Sequence, residues 1–320
     1  MNLRTPICDR FGIELPIFLA GMGGVAYAEL AAAVSEAGGY GVLGMAGVPP
    51  DEIRRQMREV RRRTAKPFGV DLLAALPQQI ESAIDVILGE GASAFVAGLG
   101  VPGPVIQKCH RAGVKVMVLC GKLSHAQRAE EAGCDAVVAQ GTEAGGHTGQ
   151  VAGMALIPQI VDAVKIPVLA AGSIVDGRGL AAALAFGAQG AWMGTRFIAS
   201  REAHAGRAYQ DAILRAGGAD TAVTRCFSGK PMRVIRNAYV DDWEKRTDEI
   251  QPFPAQMAVS ARAGVFGLTS GDAERVDPER SCMPAGQGVG GIDEILPAGE
   301  IVRRVIEEAR ETIQRMGKLL

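Results

Sequence analysis

Residues 111–140 read RAGVKVMVLCGKLSHAQRAEEAGCDAVVAQ, and they contain one pattern twice. Arg111-Ala112-Gly113 precedes the apolar run 114–119, and Glu131-Ala132-Gly133 precedes the run 136–139. A helix that ends on a glycine free to adopt the left-handed conformation, followed by a short β-branched run without polar alternation, describes a helix feeding a strand buried on both faces. Working outward, the same unit appears as Glu36-Ala37-Gly38-Gly39 before 40–45, as Glu90-Gly91 before 94–97, and as Phe186-Gly187 before 191–193. Repetition of helix then strand predicts parallel pairing.

Strands are predicted at 16–21, 40–45, 68–73, 94–98, 115–120, 136–140, 167–171 and 191–194. Eight parallel strands are the number that closes a (β/α)₈ TIM barrel, an α/β fold. Helix starts are marked by Pro50-Asp51-Glu52, Ser124-His125 and Asp176-Gly177-Arg178. Beyond Phe197 the repeat stops, and residues 201–291 carry more charge, Met and Pro, with helical stretches at 203–216 and about 236–246. The expected division is a barrel over residues 1–200, a mostly helical insertion over 201–291 capping the substrate side after strand eight, and an amphipathic helix within 292–320 that packs back on the barrel.

The chain has 320 residues, 48% of them hydrophobic, enough for one large core with an appended segment. Acidic and basic residues nearly cancel to a formal net charge of -1, which argues against a nucleic-acid or anionic-lipid partner. Six cysteines without metal-like spacing read as reduced, buried thiols of a cytoplasmic protein. The N-terminus carries Arg4, Asp9, Arg10 and Glu14 where an export signal needs an apolar core, and the apolar stretches 30–47 and 179–194 fall short of a membrane span.

In a barrel the site forms at the carboxyl ends of the strands, and most unusual motifs fall there. Strand seven ends in Ala170-Ala171-Gly172-Ser173-Ile174 and strand eight in Gly194-Thr195-Arg196-Phe197. A glycine followed by a hydroxyl residue exposes backbone N–H groups and adds an O–H donor, so the two neighbouring pairs predict a phosphate site. Strand one runs into Gly21-Met22-Gly23-Gly24, whose missing side chains would let a flat ligand lie on backbone, although a tight turn would use the same residues. Strand six leads into the loop 140–149, Gln-Gly-Thr-Glu-Ala-Gly-Gly-His-Thr-Gly, where His147 is placed to exchange protons near neutral pH. His110, His125 and His204 read as surface residues. Asp71 and Gln140, at the mouths of strands three and six, suit hydrogen bonds either to a heterocycle or ribityl chain or to their own loops. Lys122, after strand five, reads as a solvated lysine, with an anion contact or Schiff base as alternatives.

Taken together, Gly21-Met22-Gly23, Phe68-Gly69-Val70-Asp71, the loop 140–149, Ala171-Gly172-Ser173-Ile174 with Asp176-Gly177, and Gly194-Thr195-Arg196-Phe197 resemble the nitronate monooxygenase (2-nitropropane dioxygenase-like) family. That family also includes FMN-dependent enoyl-acyl-carrier-protein reductases and some flavin-dependent quinone reductases. The likeness spans nearly the whole chain, including Phe227-Ser228-Gly229-Lys230-Pro231 with Arg233 and Asn237, and Met283-Pro284-Ala285-Gly286-Gln287-Gly288. It implies FMN at the barrel mouth, with its phosphate on Gly172-Ser173 and Gly194-Thr195 and its rings near Gly21, Met22, Gly23 and Gln140. Gly145, Gly146, Gly149 and Ala171 join the implied cofactor contacts, and His147 matches the active-site histidine. Asp71 falls where many members have asparagine, which puts in question any flavin hydrogen bond that needs an amide donor.

The activity implied first is oxidation of alkyl nitronates with O2 to carbonyl compounds and nitrite. The alternative is an NAD(P)H-dependent reductase of enoyl or other acyl thioesters or of quinones, in which Arg233 and Arg236 could contact an anionic carrier, although solvated arginines are the simpler reading. A flavin-free lyase or isomerase acting on a phosphate-bearing substrate would also explain the two phosphate corners. The partners expected are thus a small-molecule substrate and O2, without nucleic acid or membrane, and a homodimer is compatible with the sequence.

Overall fold

The computed structural model describes residues 3–267 and 275–319; residues 268–274 of the expected insertion lie outside it. Eight parallel strands form one sheet: β1 (Ile17–Leu19), β2 (Gly41–Gly44), β3 (Phe68–Leu73), β4 (Ala94–Gly98), β5 (Lys115–Cys120), β6 (Ala136–Gln140), β8 (Val168–Ala171) and β9 (Gly190–Met193). A short extra strand, β7 (Gly146–His147), lies in the loop after β6. The sheet order is β1-β9-β8-β6-β5-β4-β3-β2, and a parallel bridge between Phe18 and Tyr40 joins the two ends into a (β/α)₈ barrel.

The helix-closing glycines behave as their surroundings predict. Gly38, Gly91, Gly113, Gly133 and Gly187 all take positive φ, between 73° and 91°, as the chain turns from helix into strand. The helices they close are α2 (Ala28–Glu36), α4 (Pro77–Gly89), α5 (Gly103–Arg111), α6 (Leu123–Glu131) and α8 (Gly177–Ala185). Among the predicted helix starts, Pro50 opens α3 (Pro50–Arg63), with Asp51 and Glu52 in the first turn and Arg61, Arg62 and Arg63 in the last, each favourable to the helix dipole. Asp176 caps α8 by accepting from the Gly179 N–H at 3.0 Å.

Side chains alternate across each strand and build two cores. Ile17, Phe68, Val70, Phe95, Val116, Val137 and Val168 point outward under the helices. Phe18, Tyr40, Val42, Val96, Met117, Val138 and Trp192 fill the interior. The first helix, α1 (Pro6–Phe11), plugs the amino-terminal end, where Phe11 meets Phe18 and Tyr40 edge-on at 5.4 and 5.3 Å. The sequence did not announce this plug. Alternation on β3 buries Val70 and Leu72 against the helices and turns Asp71 into the barrel, just below its mouth.

After α7 (Gly153–Ala163), α8 and the short α9 (Thr195–Ile198), the chain builds the expected insertion with α10 (Arg207–Arg215), α11 (Ala238–Glu244) and α12 (Ala255–Arg262). It also builds a hairpin, β10 (Thr221–Thr224) with β11 (Met232–Ile235), which the helical pattern did not disclose. β11 then pairs with β7, making a three-stranded antiparallel sheet from segments far apart in sequence. The final helix, α13 (Ala298–Gly317), packs on α8 and α2 through Ile301, Val302, Val305 and Ile306. Among the described residues no helix is long and apolar enough to cross a membrane, and the six cysteines are buried and unpaired.

Candidate functional site

A cavity of about 1050 Å³ opens at the carboxyl ends of the barrel strands, and every residue predicted for catalysis or cofactor binding lines it. The two predicted phosphate corners follow paired strands, since Ala171 of β8 lies beside Trp192 of β9. At the first corner Gly172 has φ 121° and Ser173 has φ 53°. A serine in the left-handed region stores strain that the surroundings must hold. Leu99, the other described non-glycine residue with positive φ, lines the same cavity from the loop after β4.

Both corner hydroxyls are braced from above by the segment 284–288. The Gly286 N–H donates to Thr195 Oγ1 at 3.0 Å, and the Gly288 N–H donates to Ser173 Oγ at 2.9 Å. Each hydroxyl therefore uses a lone pair toward the protein and keeps its proton for another acceptor; that of Ser173 has only a 3.4 Å contact to the Glu143 carbonyl. The bracing needs glycine. A Cβ on Gly288 would stand 2.8 Å from Ser173 Cα, and one on Gly145 would stand 2.8 Å from the Ala285 carbonyl carbon.

His147 is set by long-range pairing. In the register of β7 and β11 it lies opposite Met232, and Gly146 lies opposite Arg233. Its Nε2 is 2.8 Å from Ser228 Oγ, and the Gln140 side-chain amide donates to its backbone carbonyl at 2.6 Å. Phe253 meets the ring edge-on at 6.4 Å, and Lys230 lies over the Phe253 face at 4.7 Å. Burial, with a smaller contribution from the Lys230 charge, pushes the imidazole down to a pKa of about 4. It is neutral at physiological pH, suited to a hydrogen bond with developing negative charge more than to deprotonating a weak acid. Ser228 Oγ also lies 3.3 Å from the Lys230 carbonyl. Its one proton goes either there or to His147 Nε2, and that choice fixes the imidazole tautomer.

Several sequence expectations change here. The space beside the Gly21 Cα is filled by Asp71, whose Cβ lies 2.3 Å from where a Gly21 Cβ would be, so the missing side chain makes room for the protein on that side while Gly21 still lines the cavity. Next to Gly23 the nearest atom is the Ala46 carbonyl at 4.0 Å, leaving the open surface expected there. Gln140 uses one amide N–H on the His147 loop and still lines the cavity. Arg233 is buried and committed within the protein, donating to the Thr142 carbonyl and to Thr221 Oγ1 at 3.1 Å each, whereas Arg236 is a solvated arginine paired with Asp241 at the surface and outside the cavity wall. His125 is half-buried in the cavity wall rather than on the surface, and its pKa is lowered by burial and by the neighbouring Lys122 and Arg128. His110 is exposed beside Asp135, and the His204 ring lies tilted against Tyr27 with centroids 4.8 Å apart.

Sequence reasoning gave no role to Ser228, Lys230 or the segment 284–288. Ser228 carries the signal that marked the phosphate corners, a hydroxyl beside a glycine, here Gly229 with φ 86°. Lys122, Arg128 and Lys230 also line the cavity, whereas Asp71 is its only acidic residue among the described residues.

Comparison with known proteins bears on what such a site does. The family model for nitronate monooxygenase matches residues 4–83 and 76–308. A solved structure of FabK from Thermotoga maritima superposes with a TM-score of 0.91 at 37% identity, covering 99% of each chain. A nitroalkane oxidase from Streptomyces ansochromogenes superposes with a TM-score of 0.86 at 30% identity, covering 97% of this chain and 99% of its own. The (3aS,4S,5R,7aS)-5-hydroxy-7a-methyl-1-oxo-octahydro-1H-indene-4-carboxyl-CoA dehydrogenase of Mycobacterium tuberculosis is 40% identical over 76% of this chain and 69% of its own length. These likenesses set aside the flavin-free lyase or isomerase. The chain belongs to the nitronate monooxygenase family and is an oxidoreductase.

Proposed function

We propose that the protein is an FMN-dependent oxidoreductase that oxidises alkyl nitronates with O2 to carbonyl compounds and nitrite. The observation that carries the cofactor is the pair of adjacent glycine-hydroxyl corners whose lone pairs are engaged by Gly286 and Gly288, leaving two O–H protons for a phosphate. The cavity, about 1050 Å³, lies at the upper end of the range for small-molecule sites, with room for a flavin and a substrate together. When bound, FMN supplies the electron transfer between the substrate and O2. Ser173, Thr195, Gly172 and Gly194 hold its phosphate end, with Gly23, Met22, Ala171, Gly145, Gly146 and Gly149 along the remaining cofactor wall. His147, oriented by Ser228 and by its backbone bond from Gln140, presents a neutral imidazole to the substrate. An alkyl nitronate arrives already deprotonated, so it needs a hydrogen-bond donor and not a strong base, as the depressed pKa of His147 allows. Lys122, Arg128 and Lys230 make the entrance attractive to anions.

A second reading, an NAD(P)H-dependent reductase of acyl thioesters, is favoured by the dehydrogenase relative that is named for a carboxyl-CoA compound. There the imidazole would donate to the thioester oxygen. The two separate on anaerobic mixing of the flavin-loaded protein. Under the first reading an alkyl nitronate bleaches the flavin while NADH and NADPH at micromolar concentration leave it yellow; rapid bleaching by either nucleotide selects the second.

A further inference from the structure

Among the described residues Asp71 is the one acidic residue in the cavity wall, and it has no partner there. Only 7% of it is exposed, and among the described residues its carboxyl makes neither a hydrogen bond nor an ion pair. The elements packed around it offer nothing ionisable: the turn after β1 presents Gly21, β2 presents Gly44, and β4 presents Gly98. The titratable groups that share the cavity are Lys122, His125, Arg128, His147, Tyr209, Lys230 and Cys282. Burial raises the Asp71 pKa well above the usual carboxylate range. An ionised carboxylate enclosed in this way would forfeit its hydration without compensation, which favours the protonated form.

A protonated carboxyl is one O–H donor beside one carbonyl acceptor, which is the same pair that an asparagine amide offers. The aspartate that stands where an amide is expected therefore loses no donor, provided that it stays neutral. We infer that Asp71 acts as a neutral carboxylic acid that donates a hydrogen bond to the ring system of bound FMN, and that the protein loosens its hold on the ring once Asp71 is ionised. This inference rests on the FMN reading above. Its sign is opposite to that of an ordinary cofactor-binding carboxylate: affinity is highest with the proton on and falls as pH rises through the Asp71 pKa.

The direct test is infrared difference spectroscopy of the FMN-loaded protein at neutral pH, wild type against Asp71→Asn, with FMN affinity measured in parallel by quenching of flavin fluorescence. The expected result is a protonated-carboxyl band that shifts in D2O and is missing from Asp71→Asn. That variant, which keeps a donor, should hold FMN about as tightly as wild type and without pH dependence, whereas Asp71→Ala, with melting behaviour checked, should bind about 10- to 100-fold more weakly. A wild-type spectrum with only carboxylate bands, an affinity that rises with pH, or an Asp71→Asn variant as weak as Asp71→Ala would overturn the inference while leaving FMN in place. Wild-type protein that takes up no FMN would instead overturn the reading on which it rests.

Discussion

The side of the mouth formed by β8 and β9 and the side formed by the loop after β6 reach the same cavity by different routes. Gly172-Ser173 and Gly194-Thr195 are placed by their own strands, which pair with each other directly, so a glycine-hydroxyl pair at each strand end is enough to predict where they meet. His147 is placed by β11, a strand more than eighty residues further along, and by Ser228 in the turn before it. The barrel fixes one end of the site, and the insertion fixes the other. The two ends should accordingly fail separately: damage to the corners should cost cofactor, and damage to the histidine side should cost turnover with the cofactor retained.

The largest expected effect sharpens that contrast. His147→Ala should lower turnover by about 10²–10⁴-fold with flavin content unchanged. Loss of flavin from this variant, seen in its visible spectrum, would merge the two ends into one. On the other side, Gly194→Val should weaken FMN by about 100-fold or more, the loss of a charge-assisted contact and of the space for it. A Cβ at this position meets only Ala20 and Met22 at an ordinary 3.4 Å, so the melting temperature should hold and isolate the effect on the cofactor. Unchanged occupancy would contradict the placement of the phosphate.

Ser228→Ala removes the partner of His147 Nε2 and should lower turnover by about tenfold, the worth of one hydrogen bond, without altering FMN affinity. The smallest effect is in the pH profile. Because burial depresses the His147 pKa, activity that depends on the neutral imidazole is complete above it and is lost as pH falls through about 4, not through the usual 6.5. An acid limb near 6.5 in wild type would show the imidazole to be solvated in the working enzyme.

The same contrast explains what could be read in advance. The eight strands were legible because a buried parallel strand is a continuous apolar run, and the helices before β2, β4, β5, β6 and β9 end on a glycine that the structure finds at positive φ. His147 was legible from its place in the loop after β6, but its neutrality was not, because that depends on burial under Phe253 and on Lys230, which approach from the insertion. The hairpin of β10 and β11 escaped because four-residue strands carry too little pattern to separate from loop. Its partner strand is only Gly146 and His147, within a stretch whose glycines read as a flexible loop. The approach of Asp71 to Gly21 was hidden for a similar reason. A missing side chain marks close approach, and sequence does not say whether ligand or protein comes close; here it is Asp71. The role of the segment 284–288 was likewise hidden, because its glycines matter only through contacts with Ser173 and Thr195 about ninety or more residues earlier.

The most direct measurement is a pair of titrations of flavin-free protein, one with FMN and one with riboflavin, which lacks the phosphate. If Ser173 and Thr195 grip that group, FMN should bind at least about 100-fold more tightly, and the double substitution Ser173→Ala with Thr195→Ala should close most of the gap. Equal affinity for the two flavins, or a gap untouched by the double substitution, would contradict the account.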